Sequence, residues 1–333
     1  MNNPILVEIL RANRVESQHR GAAAVCDADG ALVFSLGDID RPIYPRSAIK
    51  AFQALPLVES GAADSFGLSP QEIALACASH SGEPAHVAAA ASMLAKAGCS
   101  PNVLECGVHW PLSETAGRAL AANGQTPSAL HNNCSGKHGG FICVSCHAGV
   151  SPRGYIQGDH IAQREAKAAI EALTGARLDA QVEGVDGCGI PAFAMPLRAI
   201  AHGFARFGAG RRMSAARASA CQRIRAAVAA HPEMVAGARQ FDTQIMQRLG
   251  ARCFVKLGAE GVHCAALPEL GLGLAVKADD GASRAARLII AALIARFGNF
   301  AAEEAAWLQS FIAPPLANWV GVPVGAMRFT APR

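Results

Sequence analysis

Long apolar runs are missing from this sequence. No stretch reaches the roughly 20 residues a membrane-spanning helix needs, and the opening segment MNNPILVEILRANRVESQHR carries charge from Glu8 onward, too early for the apolar core of a secretory signal. The expectation is a cytoplasmic protein with no membrane partner. Blocks of like charge are missing too. Thirty basic and 26 acidic residues, net +4, are spread without a basic stripe or interleaved aromatics, so there is no footprint for nucleic acid and a small molecule is the expected partner. A disulfide framework is also lacking. Eleven cysteines, an odd number at irregular spacing in 333 residues, read as reduced thiols, most of them buried, with one or two free to act as ligands.

Lysine is scarce. Only six of the thirty basic residues are lysine (Lys50, Lys96, Lys137, Lys167, Lys256 and Lys277), so arginine serves wherever a generic positive charge suffices. An arginine stays protonated, whereas a lysine amine can be desolvated, lose its proton and act as a base. Lys96 and Lys167 sit in Ala-rich helical segments; the other four lie beside Ser, Cys, Gly or Asp.

What is present is ample apolar material, 51% of the chain, enough for a continuous core. Residues 5–37 alternate apolar and polar residues around CDADGALVF, with Asp29 and Gly30 as a turn, and read as a hairpin. Helical spacing follows from Ser47 to a stop at Gly61, then at about 70–78, 84–97, 115–122, 139–147 and 160–174, with long Ala/Arg helices over 213–230 and 283–297. CFVKLGAEGVHCAALPELGLGLAVKADDG reads as two or three strands. Strands at both ends with helices between them predict an α+β fold, a mixed or antiparallel central sheet built from N- and C-terminal strands and covered by helices. No linker or repeat interrupts the chain, so residues 1–333 are expected to form a single domain, two lobes being the alternative.

Several segments carry chemistry. In RSAIK, Ser47 and Lys50 are three apart, a spacing that sets hydroxyl and amine on one side of a helical turn; an N-cap serine followed by a solvated lysine fits equally. CASHSGE brings Ser79, His80, Ser81 and Glu83 out of an apolar run into a Gly turn, as a cleft lining or a helix cap. HNNCSGKHGG has the ingredients of a phosphate loop without its spacing. Cys134 with Cys188 of DGCGIP could supply two thiolates to zinc, although no close second pair accompanies them. CVSCH, Cys143 to His147, matches a haem-attachment pattern but lies on an apolar helix and reads as structural thiols. Lys256 and Lys277 each end a strand-like run, beside a nucleophile or as edge charges that deter aggregation.

Taken together, YPRSAIKAFQALPLVESGAAD, ACASHSGEPAHV, LHNNCSGKHGGFI, VDGCGIPAFAMPL and KLGAEGV resemble, in order and spacing, the asparaginase II family of rhizobial type, from about residue 5 to the end. The resemblance implies hydrolysis of L-asparagine to L-aspartate and ammonia, a fold similar to the serine β-lactamase and penicillin-binding group, and a homodimer. It implies that Ser47 with Lys50, and Ser79 with Lys256, are two Ser-Lys tandems, and that Cys134, Lys137 and Cys188, with Asp186 beside them, hold a zinc ion that supports substrate binding and is not directly catalytic. Arg46, His138 and Asp186 are candidates for binding the substrate. The rival readings are a β-lactam or peptide hydrolase, for which no S-x-N-like element or export signal is seen, and a zinc- or thiol-based binding protein.

Overall fold

The computed structural model describes residues 3–330, and contacts divide the chain into two compact units. The first unit comprises the chain up to Ala48, Met195–Ala209 and the chain from Val255 onward. Its sheet has eight strands: β1 (Ile5–Arg11), β2 (Arg14–Asp27), β3 (Leu32–Leu36), β4 (Phe254–Leu257), β5 (Val262–Leu267), β6 (Leu272–Ala278), β7 (Pro315–Ala317) and β8 (Pro323–Phe329). The order is β7-β8-β1-β2-β6-β5-β4, with β3 pairing β2 off this path. The pairings of β1 with β2 and β8, of β2 with β3 and β6, of β5 with β6 and of β7 with β8 are all antiparallel. The expected α+β architecture, an antiparallel sheet assembled from both ends of the chain, is therefore what forms.

The expected hairpin over residues 5–37 is three strands. The first reversal falls at Ala12 and Asn13, both with positive φ (+45° and +63°), a turn made without the glycine that would announce it. β2 then runs fourteen residues. Its first half pairs β1, and its second half, with Ala22 to Cys26 buried, lies between β3 and β6. The helix Leu197–Ala209 packs on β2, β5 and β6. It approaches so closely that a Cβ on Gly273 would lie 2.0 Å from the Ala201 carbonyl oxygen, so β6 needs a glycine there.

The second unit comprises Ile49–Ala194 and Gly210–Phe254 and is mainly helical. The elements that matter for chemistry are α1 (Pro70–Ala76), α2 (Pro84–Lys96), α3 (Ser135–His147) and α4 (Ile161–Thr174). α3 is buried continuously from Ser135 to Ser145, so it is the central helix of this unit. It starts four residues earlier than the expected 139 and takes in the SGKH stretch. The glycines of SGKHGG answer to packing: a Cβ on Gly136 would meet the Leu75 carbonyl oxygen of α1 at 2.4 Å, while one on Gly139 would reach Met93 Cε of α2 at 3.5 Å. Small residues on α3 let two neighbouring helices lie against its backbone. α1 begins with a capping box in which the Ser69 hydroxyl accepts from Glu72 N and the Glu72 carboxylate accepts from Ser69 N.

Candidate active site

In the second unit a short helix, Lys50–Gln53, delivers the Lys50 side chain into the interior, where the residue is 1% exposed. Its amine donates to the Ala78 carbonyl oxygen at 2.6 Å, to Ser79 Oγ at 2.8 Å and to Cys134 Sγ at 3.1 Å. The lysine expected to partner Ser47 thus holds the hydroxyl of the other serine.

Ser79 sits just beyond the C-terminus of α1, and its segment is fixed from two sides. Ser79 N donates to the Val235 carbonyl at 2.9 Å, and His80 N donates to that of Asn133 at 3.1 Å. The His80 ring is fully buried. Its Nδ1 accepts from Gly82 N at 3.1 Å, so Nε2 carries the hydrogen and donates to Ser135 Oγ at 2.9 Å. Burial first, then the nearby His86 and Lys50, hold this imidazole neutral, well below its ordinary pKa. Sequence reasoning placed His80 in a polar cluster but did not see that it bridges to the first residue of α3.

At the start of α3, Cys134, Lys137 and Cys188 come together. Lys137 Nζ donates to Cys188 Sγ at 3.0 Å, and the two thiols share a hydrogen bond. That bond, with the charges of Lys50 and Lys137, holds Cys134 well below the usual thiol range despite burial. The same bond and burial push Cys188 up, so the pair shares one proton. Burial works against charge on Lys137, but the nearby Cys134, Cys188 and Asp186 outweigh it and hold its pKa raised. Asp186 is half-buried in a tight turn, its carbonyl accepting from Gly189 N at 2.8 Å.

Two sulfurs and an amine in mutual contact, with a carboxylate close by, form a donor set that suits zinc. Among the described residues no three His, Cys, Asp or Glu side chains are grouped as a metal site, so a metal here depends on Lys137 as a ligand. His138, one residue on, is wholly buried. Its Nδ1 takes a 2.6 Å hydrogen bond from the Tyr155 hydroxyl, which itself accepts from Glu105 N at 2.8 Å. Its Nε2 has no hydrogen-bond partner among the described residues. Tyr155 and Glu105 carry no sequence signal; distance along the chain hides them.

In the first unit Arg46 and Ser47 open a 3-10 turn, both half-buried. Arg46 has φ +52°, a left-handed conformation that costs a non-glycine residue of order 1 kcal/mol or more. Lys256, 1% exposed on β4, donates to the Leu257 carbonyl at 2.9 Å. A Cβ on Gly258 would meet the Pro45 carbonyl oxygen at 2.6 Å and Ala48 Cβ at 3.1 Å. The end of the Lys256 strand therefore lies against the turn that presents Ser47, and only glycine fits at 258.

The sequence profile of L-asparaginase II matches residues 7–329, nearly the whole chain and all the residues above. The chain belongs to the L-asparaginase II family. No individual curated protein sequence matches it. Among solved structures, a β-lactamase from Mycobacterium bovis overlaps at TM-score 0.42 and 15% identity, covering 83% of this chain and 94% of that one. A structure of Mglu in its tris and glutamate form gives 0.40 and 13%, covering 89% and 63%. Simvastatin synthase from Aspergillus terreus gives 0.32 and 12%, covering 78% and 86%. Overlaps this loose transfer no function. Family membership makes the asparaginase II protein an amidohydrolase by class, and no helix among its described residues is long and apolar enough to cross a membrane.

Proposed function

We propose that this family member is an L-asparaginase of the rhizobial type, hydrolysing L-asparagine to L-aspartate and ammonia, with residues 1–333 acting as a single asparaginase domain. A carboxamide resists water because it is resonance-stabilised and its leaving group is poor; a covalent intermediate divides that barrier. Ser47 attacks the side-chain amide carbon, forming a β-aspartyl ester, and its proton passes to Lys50. Lys50 hands a proton to Ser79, whose own goes to the departing amide nitrogen, so that ammonia leaves as a neutral molecule. Water then attacks the ester, using the same groups in reverse. Lys256 supplies positive charge for the oxyanion, and Arg46 the same for the substrate carboxylate. The observation that supports this reading most is the 2.8 Å hydrogen bond from the buried Lys50 amine to Ser79 Oγ, a hydroxyl–amine pair made for proton transfer.

Cys134, Lys137 and Cys188 would hold zinc, with Asp186 and His138 beside them. The ion, when bound, supplies a fixed positive charge that strengthens substrate binding. The chain's own contribution is to hold the thiols and amine together at the start of α3.

The test is ammonia release from L-asparagine and L-glutamine side by side, with and without chelator, in wild-type, Ser47→Ala and Ser79→Ala protein. Expected are turnover of asparagine, loss of several orders of magnitude in kcat for Ser47→Ala, and a comparable or smaller loss for Ser79→Ala. Near-normal turnover by Ser47→Ala would move the nucleophile to Ser79. Absence of ammonia from either substrate would remove the assignment, and nitrocefin hydrolysis in its place would favour a β-lactam substrate.

A further inference from the structure

Nine of the eleven cysteines are buried, and the two that are half-exposed, Cys99 and Cys146, are neighbours. Their sulfurs lie 3.7 Å apart. We propose that Cys99 and Cys146 are a modification site, a dithiol that closes to an intramolecular disulfide when the protein meets a peroxide.

Each partner comes from an element suited to its part. Cys146 is in the last turn of α3, the helix whose start carries Cys134, Ser135 and Lys137, so its position is fixed by the core. Cys99 follows the end of α2, where Gly98 takes φ +71° and Cys99 N donates back to the Leu94 carbonyl at 2.8 Å, a left-handed helix stop. A Cβ on Gly98 would meet nothing within 4 Å, so the loop has room to shift. A disulfide needs its sulfurs about 2.0 Å apart, and a rotation at Cys99 with a small loop movement supplies the difference.

The two thiols are not equivalent. Burial, and a hydrogen bond to Cys99, push Cys146 up to about 11. Cys99 Sγ also donates to the Ala97 carbonyl oxygen at 3.6 Å, within its own loop. Cys99, on the loop with room to move, is the sulfur that meets the oxidant, and Cys146, held in α3, is the resolving thiol. Cys143, one turn back on α3, is buried and pushed up to about 12 by that burial, which shields it.

The steps balance. The Cys99 sulfur, its proton lost to solvent, attacks one oxygen of hydrogen peroxide. An S–O bond forms, the O–O bond breaks, and hydroxide leaves and takes up a proton as water. The Cys146 sulfur then displaces the hydroxyl of the sulfenic acid, forming S–S and breaking S–O, and its proton leaves with that hydroxyl as a second water. Two thiols and one peroxide become one disulfide and two waters. The product staples the loop after α2 to the end of α3, closing a segment that runs from residue 99 to residue 146, and raises resistance to unfolding.

The experiment uses the full-length protein as purified, reduced and then exposed to hydrogen peroxide. Expected are a mass lower by two hydrogens, a Cys99–Cys146 cross-linked peptide in a non-reducing digest, a raised thermal midpoint, and reversal of all three by dithiothreitol. Cys99→Ser and Cys146→Ser each abolish the cross-link and leave ammonia release by the reduced protein unchanged, whereas Cys221→Ser retains it. Peroxide treatment that leaves Cys99 and Cys146 open to alkylation, that links Cys134 to Cys188 instead, or that carries Cys99 on to the sulfinic acid without a cross-link overturns the proposal. The outcome is independent of which substrate the site hydrolyses.

Discussion

Gly136→Ala adds one methyl group at the tightest point of the second unit. The new Cβ would lie 2.4 Å from the Leu75 carbonyl oxygen and 2.4 Å from Leu75 Cγ. The oxygen is backbone and has no other rotamer, so α1 and α3 must separate by about 1 Å to reach ordinary contact. Forcing a methyl into a filled core costs about 1–3 kcal/mol, and replacing glycine by alanine inside a helix returns about 0.5–1 kcal/mol. The net expectation is destabilisation by about 1 kcal/mol. Gly140→Ala, one turn along the same helix, is the control, because its Cβ would meet Ala76 Cβ and Leu57 Cδ2 at 3.5 Å, a normal contact. That variant is expected to gain about 0.5–1 kcal/mol from propensity alone; the same gain enters both variants, so they differ by the packing cost, about 2 kcal/mol. Urea unfolding with an unchanged slope measures the difference. Leu75 lies four residues before Ser79, and Gly136 lies between Cys134 and Lys137, so Gly136→Ala also lowers ammonia release and Gly140→Ala does not. Equal unfolding midpoints for the two variants would refute the packing argument.

Three further outcomes follow from the same geometry. Glu72, buried, accepts from Lys96 Nζ at 2.6 Å and from Ser69 N at 2.7 Å. Burial opposes its charge, but these partners outweigh that and hold its pKa below the ordinary value of 4.5. Its stabilisation is therefore present above 4.5 and lost as pH falls through the lower folded value. Glu72→Gln keeps the capping box but loses the charge facing Lys96, and should cost about 1 kcal/mol at pH 7; the gap to wild type should close in a denaturation series as pH falls from 4.5 through the lower folded value, and a constant gap would rule out the charge. Tyr155→Phe strands the buried His138 Nδ1 and the half-buried Glu105 N, and should cost roughly 2–4 kcal/mol, read by thermal unfolding; a neutral result would mean that water replaces the hydroxyl. Cys188→Ala should lose zinc by elemental analysis and raise KM for asparagine more than it lowers kcat, whereas a wild-type protein purified without chelator and free of zinc would end the metal proposal.

Much of the fold is written in local pattern. The helices over 70–76, 84–96, 161–174, 215–230 and 283–297 follow from apolar spacing and from caps such as Ser69 with Glu72, which act over a few residues and so survive without tertiary context. The helix Leu197–Ala209 carries the same apolar spacing, with Leu197, Ile200, Ala201, Phe204 and Phe207 all buried, but Gly203 and Gly208 lower its propensity and the sheet beneath supplies its stability. The reversal at Ala12 and Asn13 is only half marked: Asn13 tolerates a left-handed φ, Ala12 does not, and pairing of β1 with β2 imposes the turn.

The candidate site divides along the same line. Residue type and scarcity pick out Ser47, Lys50, Ser79, Lys137 and Lys256, because an arginine-rich chain that keeps a lysine beside serine or cysteine has a chemical use for a deprotonatable amine. Which partner each takes cannot be read along the chain. Lys50 is three residues from Ser47, yet its amine hydrogen-bonds Ser79 and Cys134, 29 and 84 residues away. Cys99 and Cys146, 47 apart, meet only because α2 and α3 pack side by side. The sequence by itself determined the inventory of reactive groups and the periodicities that fold them, since both are properties of single residues and short windows. Only the tertiary structure decided which groups share a proton or face one another across a thiol pair, because burial and hydrogen bonding depend on distances that long-range packing sets.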